Sequence, residues 1–178
     1  MRTPYYTLAS LEAGKSVGFL IKRCGVLMTQ VAEQAFEAQP ITFTQWLVLM
    51  RVGSQAHMSA TQLSQELGHD MGALTRVVDT LERRGLLRRE RSAHDRRAVE
   101  IAITAAGRRQ AHSGKREVVE LLNEVVQPFS EQELDTFIAL LQRMLGHLQS
   151  AGPAVAAAHR ARRPARRTAR RAVSGGKA

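Results

Sequence analysis

Apolar residues recur along the chain at two spacings, and the switches between them mark out most of the elements. From about Leu8 to Gln39, the residues Leu20, Cys24, Leu27, Val31 and Ala35 fall three or four apart, with Val17, Ile21, Met28 and Ala32 forming a second stripe beside them. That spacing predicts one long helix, ended by Pro40. A helix of about 30 residues extends about 45 Å, more than a small domain covers, so part of its apolar surface is expected against another chain. Thr44 is placed to cap a short helix, Gln45 to Val52. Its run Trp46-Leu47-Val48-Leu49-Met50 is apolar on nearly all sides and therefore reads as buried.

Ser59-Ala60-Thr61-Gln62 has the form of a capping box, opening a helix through Leu63 and Leu67 that Gly68 stops. Asp70 can cap the next helix, Met71 to Arg84, with Leu74, Val77, Val78 and Leu81 facing inward and Gly85 at its end. Two short helices joined by a tight turn containing glycine fit a helix-turn-helix. Leu86 to Arg91 and Ala98 to Ile103 then read as strands, the second alternating Val99, Ile101 and Ile103 against Ala98, Glu100 and Ala102. Ser92 to Arg97 is the charged hairpin tip between them, which completes a winged helix. Thr104 is placed to cap a long helix, about Ala105 to Val126, ended by Pro128. A second capping box, Ser130 to Glu133, starts the last helix, about Glu131 to Gln149. Its stripe of Leu134, Phe137, Ile138, Leu141, Leu145 and Leu148 has no globular partner left in the sequence. The fold class expected is mainly α with a small β-wing, flanked by long terminal helices that pair across a dimer interface.

Charge separates the body from its end. The chain of 178 residues carries 26 Lys and Arg against 16 Asp and Glu, a net charge of +10. Residues 151–178 hold seven Arg, one Lys and no acid, which leaves 18 basic and 16 acidic residues for 1–150. With 44% apolar and 4% aromatic residues the body reads as a helix-rich globule. Beyond Gly152-Pro153 the Arg pairs 162/163, 166/167 and 170/171, set among Ala and Pro, cannot bury a core, so 151–178 is expected to be a disordered basic tail. No stretch approaches the length of a membrane span, and Met1 to Gln30 lacks the apolar core of a signal peptide. A cytoplasmic setting is expected. Cys24, the single cysteine, excludes an intrachain disulfide and a multi-cysteine zinc site.

The start of the second short helix carries the chemistry. Residues 71, 72, 75 and 76 project toward whatever the helix tip approaches, and the small Gly72 and Ala73 let that tip enter a groove. Arg76 can bind guanine O6 and N7 as a two-pronged donor or clamp a phosphate. Arg96 and Arg97 at a narrow hairpin tip suit the negative potential of an A·T-rich minor groove. Arg83, Arg84, Arg88, Arg89 and Arg91 extend the basic surface, some for phosphates and others for pairing with Glu82 and Glu90.

Residues 44–107 resemble the multiple-antibiotic-resistance regulator (MarR) family. The likeness rests on Thr44-Gln45-Trp46, Ala60-Thr61-Gln62-Leu63-Ser64, Gly72-Ala73-Leu74-Thr75-Arg76, Leu81-Glu82-Arg83-Arg84-Gly85-Leu86, His94-Asp95-Arg96-Arg97, and Ile103-Thr104 before Gly107. The flanking helices match in length and place rather than in motif, and the basic tail is a departure. The resemblance implies a homodimeric repressor reading a palindromic operator in double-stranded DNA, with Asp95 orienting Arg97 for minor-groove insertion. The DNA-facing set is then Thr61, Gln62, Met71, Gly72, Ala73, Thr75, Arg76, His94, Asp95, Arg96 and Arg97. In body residues 1–150, the DNA-binding core is about 44–107 and the dimerisation helices are about 8–39 and 105–149.

The resemblance also implies a small aromatic carboxylate effector, held between the dimer helices and the winged helix where Phe19, Arg23, Trp46, Met50 and His69 reach; Phe19, Trp46 and Met50 suit an ordinary core equally well. One branch of the family senses oxidants through a first-helix cysteine, but Cys24 on an apolar stripe reads as a packed thiol and a poor thiolate. His57, His69 and Asp70 lie close in sequence and read as surface or pocket-lining groups, so no metal is expected. A phosphate loop, an activated nucleophile and a carboxylate pair in a recognisable setting are all missing, which leaves no cofactor and no enzyme to expect. The alternatives to a ligand-released repressor are an architectural protein coating DNA through its tail and a redox-sensing regulator using Cys24.

Overall fold

The computed structural model describes residues 4–55, 57–92 and 99–161, which fall into two compact units, Met1–Val125 and Val126–Ala178. The first is a helical body around a small antiparallel sheet. Its elements are α1 (Val17–Ala35), α2 (Phe43–Ser54), β1 (Met58–Ser59), α3 (Ala60–Leu67), α4 (Met71–Arg83), β2 (Leu87–Arg91), β3 (Val99–Ile103), α5 (Ala105–Ser113) and α6 (Lys115–Val126).

Polar caps, more than apolar spacing, set where α1 and α2 begin. Helix α1 has 19 residues, shorter than its stripes suggested, because Ser16 caps it and a 3-10 turn, Ala13–Lys15, precedes it. The Tyr6 hydroxyl accepts from the Val17 amide at 3.0 Å and donates to the Lys15 carbonyl at 3.2 Å, satisfying one of the helix's free amides. Among the residues of its two stripes, Ala32 is buried, whereas Leu20, Leu27 and Val31 are exposed. Cys24 is exposed too, so the thiol read as packed is not covered by its own chain. Helix α2 starts at Thr42, not Thr44: the Thr42 hydroxyl accepts from the Gln45 amide at 3.2 Å and the Gln45 side chain accepts from the Thr42 amide at 3.3 Å.

Helices α2, α3 and α4 meet over the sheet, with Val48, Leu49, Val52, Leu63, Leu74, Val78 and Leu81 fully buried between them and Met58 and Leu87. The sheet order is β1-β3-β2, so β3 is central and lies antiparallel to both neighbours. Strand β1 pairs only Met58 with Ile101 and Ser59 with Glu100, too short to show a period in the sequence. Val99 is exposed, but Ile101, Ala102 and Ile103 are buried in succession, so the expected alternation fails where both faces of the central strand are covered.

The helix expected over 105–126 is interrupted. Trp46 donates its indole N–H to the Ala111 carbonyl at 2.9 Å, the group an unbroken helix would offer to the Lys115 amide. Gly114 makes room for the ring, since a Cβ there would stand 2.5 Å from Trp46 Cδ1. Phe36, Phe43 and Trp46 close this corner, with Phe43 stacked on Trp46 at 5.9 Å and 18°.

The second unit is built on α7 (Glu131–Ala161). Ser130 and Glu133 form the expected capping box, the Glu133 carboxylate accepting from the Ser130 amide at 2.9 Å and from its hydroxyl at 2.8 Å. Phe137, Ile138, Leu145 and Leu148 are exposed along this helix. Helix α7 continues through Gly152 and Pro153 to Ala161, correcting both the end expected near Gln149 and the disorder expected from 151. Six alanines among residues 151–161, the strongest helix formers, accompany the proline there. Residues 162–178 lie outside the described residues. No helix among the described residues is long and apolar enough to cross a membrane.

Candidate nucleic-acid interface

The turn between α3 and α4 aims the start of α4 outward. Gly68 ends α3 in the left-handed conformation, at φ 65°, which glycine adopts without a Cβ penalty. Asp70 then caps α4, its Oδ1 accepting from the Gly72 amide at 2.9 Å and the Ala73 amide at 3.0 Å. Leu74, Val78 and Leu81 pin one face of α4 to the core, while Met71, Gly72, Thr75 and Arg76 are exposed on the other and Ala73 is half-buried.

Within that exposed face the groups are differently committed. The Thr75 hydroxyl donates to the Met71 carbonyl at 2.8 Å, which keeps it against its own helix and leaves its methyl and lone pairs to a partner. Arg76 folds back along the tip, with Nη1 4.0 Å from where a Gly72 Cβ would stand. Its guanidinium has no ion-pair partner among the described residues and sits beside the helix amides, so the tip offers a planar, five-donor positive group over a nearly bare backbone. Thr61 and Gln62 are exposed on the first turn of α3, where the Gln62 carbonyl oxygen accepts from the Ser59 amide and hydroxyl, each at 2.9 Å.

The basic residues after α4 divide by partner. Arg89 of β2 donates to Asp79 Oδ1 at 2.6 Å and also to Glu82 Oε2, while Glu82 Oε1 accepts from the Arg89 amide at 3.0 Å. The hydrogen bond to Asp79 and the charge of Glu82 hold the guanidinium above its ordinary pKa. Arg89 therefore fastens β2 to α4. Arg88 pairs with Glu90, whereas Arg84 and Arg91 are exposed without an ion-pair partner among the described residues. The pairings with Glu82 and Glu90 were legible from sequence; Asp79 was missed, although it sits three residues before Glu82 on the same helix face. A second missed cluster flanks the wing. Glu90 and Glu100 are opposed on β2 and β3, and His57 Nδ1 stands 3.8 Å from the first and 3.5 Å from the second.

The wing tip itself, with His94, Asp95, Arg96 and Arg97, lies outside the described residues. Of the residues named for an effector, Trp46 is part of the core, Phe19, Arg23 and Met50 are exposed, and His69 is half-buried at the α3–α4 turn. An open cleft of about 540 Å³ lies elsewhere in this unit, lined by residues that include Glu33, Phe36, Ile41, Gln45 and Arg84. Among the described residues no three His, Cys, Asp or Glu side chains are grouped so as to hold a metal ion.

This arrangement has close relatives. Residues 39–98 match the model of the MarR family. Over 131 residues the chain is 30% identical to the HTH-type transcriptional regulator PecS of Dickeya dadantii, covering 72% of this chain and 79% of that protein. The chain belongs to the MarR family. Among solved MarR-family structures, a mutant MarR of E. coli complexed with operator DNA superposes with a TM-score of 0.63 at 26% identity, over 72% of this chain and 93% of that one. Bordetella bronchiseptica BpsR, whose DNA binding is regulated by 6-hydroxynicotinic acid, shares the fold with a TM-score of 0.65 at 21% identity, over 75% of this chain and 96% of its own. As a MarR-family chain this is a DNA-binding transcriptional regulator of the winged helix-turn-helix class.

Proposed function

We propose that the protein is a homodimeric repressor that reads a palindromic operator and is released by a small aromatic carboxylate. The observation that carries the DNA-binding part is the tip of α4, where Arg76, with no ion-pair partner among the described residues, lies over Gly72 beside the capped helix start. Thr61, Gln62, Met71, Gly72, Ala73, Thr75 and Arg76 address the major groove, and the wing residues His94, Asp95, Arg96 and Arg97 address the flanking minor groove. Two half-sites about 10 base pairs apart, centre to centre, suit two such helices related by a twofold axis. The exposed apolar residues of α1 and those of α7 each need covering, and a second copy of the chain supplies the same surfaces. Cys24 then falls within the covered face of α1, a setting that suits packing rather than redox sensing. The protein acts in the cytoplasm and catalyses no reaction, a reading supported by relatives that are regulators.

For the effector, the exposed Phe19 and Met50 offer apolar surface, and Arg23 and His69 offer donors for a carboxylate, while Trp46 lies in the core beneath. The use of 6-hydroxynicotinic acid by a protein of this fold supports an aromatic acid. Selection of bound duplexes from a random pool, followed by footprinting, tests the proposal. It expects an inverted repeat bound at least about a thousandfold more tightly than scrambled DNA. Equal affinity for every duplex would favour an architectural coating protein instead. Sedimentation at micromolar protein should give a dimer, since a 19.7 kDa monomer would refute the assembly. Aromatic acids should weaken operator binding about 5- to 150-fold, and Arg23→Ala or His69→Ala should blunt that release while sparing DNA affinity.

A further inference from the structure

The recognition helix and wing leave the chain's strongest charge unused. Of the net charge of +10, eight positive charges lie in residues 151–178, which contain no acid. Helix α7 stays helical to Ala161, so this run begins at a helix end already carrying the exposed Arg160 rather than at the Gly152–Pro153 step. Cations at a helix C-terminus are favoured by its dipole, so the run does not oppose the helix that bears it. The alignments take in 93% and 96% of the two solved relatives but only 72% and 75% of this chain, so about a quarter of the chain has no counterpart in either.

We propose that the arginines from Arg160 onward form a second DNA-binding element, one that grips the phosphate backbone beside the operator without reading bases. The inference rests on the DNA-binding reading above. Composition decides among anionic partners. Seven Arg to one Lys favours planar, bidentate binding of phosphate over diffuse attraction. Residues 151–178 contain no Phe, Trp, Tyr, Leu, Ile or Met, so they have neither apolar anchors for a bilayer nor rings on which bases stack. They also lack Asn and Gln, the usual readers of adenine edges. What remains is sequence-independent phosphate contact. Residues 162–178 can span at most about 60 Å when fully extended. An element of this kind raises operator and non-operator affinity together and leaves their ratio to α4 and the wing.

The test keeps the full chain and replaces Arg162, Arg163, Arg166, Arg167, Arg170 and Arg171 by Gln. Binding to the selected duplex and to a scrambled one is measured between about 50 and 200 mM salt. Each engaged arginine contributes about 0.9 to the slope of log affinity against log salt, so the variant's slope should be shallower by up to about 5 on both duplexes. Affinities for both should fall by the same factor, with the specificity ratio unchanged. Equal slopes for variant and parent would remove these arginines from DNA. Collapse of the specificity ratio alone would make them base readers and overturn the proposal. Loss of binding to phosphatidylglycerol vesicles with duplex slopes unchanged would assign them to lipid. A parent chain that binds neither duplex at low salt would refute the DNA-binding reading itself, whereas tight binding with unaltered slopes refutes the tail's role alone.

Discussion

Glu33, in the last turn of α1, caps the start of α2 through Thr44: its Oε1 accepts from the Thr44 amide at 3.0 Å and from the Thr44 hydroxyl at 2.6 Å. Its Oε2 accepts from the Phe43 amide at 3.0 Å. One carboxylate thus satisfies two of the free amides of α2, at the end of the helix where negative charge is favoured. This link ties α1, whose apolar face is exposed, to the helix that carries Trp46 and the core of the winged helix. The tie is polar and directional, so it fixes the angle between the two helices in a way that apolar contact alone does not.

Glu33→Ala should therefore destabilise the fold by about 1.5 to 3 kcal/mol, the range for hydrogen bonds to a charged group. Chemical denaturation should show a lower midpoint with an unchanged slope. Glu33→Gln, which keeps one acceptor oxygen, should recover part of the loss. A midpoint unmoved in both variants would mean that Thr42 caps α2 sufficiently without Glu33.

Arg89 joins β2 to α4 through Asp79 and Glu82, and each of those contacts is partly exposed. Arg89→Ala should accordingly cost little stability, about 0.5 to 1 kcal/mol. Its effect on DNA should be larger on duplexes with A·T-rich flanks, because a loosened wing places Arg96 and Arg97 less well. Arg89→Lys should not restore binding, since one ammonium cannot serve two carboxylates in the fork geometry of a guanidinium. Affinity for duplexes with and without A·T-rich flanks, measured for all three proteins, decides the matter. Equal losses on both would show that Arg89 acts on the whole recognition surface.

Much of this fold is legible in the sequence, for identifiable reasons. The Ser59–Gln62 box, the Gly68 turn and the Asp70 cap are local features whose partners lie within three residues, and the structure reproduces each one. The start of α2 was placed two residues late, because Thr42 and Thr44 are equally good capping residues in isolation. The choice between them depends on Glu33, a partner 11 residues from Thr44. The break at Gly114 depends on Trp46, 65 residues from Ala111, and no local pattern announces it. The exposed placement of Arg76 at a helix start was legible, whereas the commitment of Arg89 to Asp79 requires knowing that β2 runs alongside α4. The exposure of Cys24 was missed because a periodic stripe marks a face that is buried somewhere, not one buried within its own chain.

Gly114→Ala tests the Trp46 corner. An added Cβ would stand 2.5 Å from Trp46 Cδ1 and 3.2 Å from Phe36 Cε1, and neither ring has a flexible end that could yield. Overpacking of this kind costs about 1 to 3 kcal/mol. Trp46→Phe in the same background should relieve part of the clash while losing the bond to Ala111. A double-mutant cycle should therefore give a coupling of at least about 0.5 kcal/mol. Additive effects would show that the helix break at Gly114 does not depend on the indole.

Acid should unwind the start of α7 at a pH set by Glu133. The Ser130 amide and hydroxyl both donate to its carboxylate and hold its pKa below the ordinary value of 4.5. A carboxyl whose pKa is depressed by folding stabilises the fold above its unfolded pKa and loses that contribution as pH falls through the folded one. The capping contribution should thus be complete above about pH 5 and decline below the ordinary value of 4.5. Carbon-detected NMR of the Glu133 carboxyl should give a midpoint below 4.5, and Ser130→Ala should move it upward. A midpoint at the ordinary value in the parent protein would show that the capping box does not persist in solution.

Arg76→Ala addresses the base-reading role most directly, because Arg76 is exposed, lacks an ion-pair partner among the described residues, and lies along Gly72. Its loss should leave the folded stability within about 0.5 kcal/mol of the parent, the usual range for a surface substitution. The selected operator should bind more weakly by about 1 to 3 kcal/mol, roughly a tenfold to hundredfold loss, whereas scrambled duplex should be bound nearly as before. Arg76→Lys separates the two modes of contact: a phosphate clamp survives as a point charge, while two-pronged recognition of guanine O6 and N7 is weakened. Repeating the selection with Arg76→Ala should relax the preference at one position in each half-site and leave the half-site spacing intact, because spacing is set by the dimer and not by the helix tip. If scrambled and operator duplexes lose affinity equally in Arg76→Ala, and Arg76→Lys restores both, Arg76 holds a phosphate and the bases are read by Met71, Thr75 or the side chains of α3.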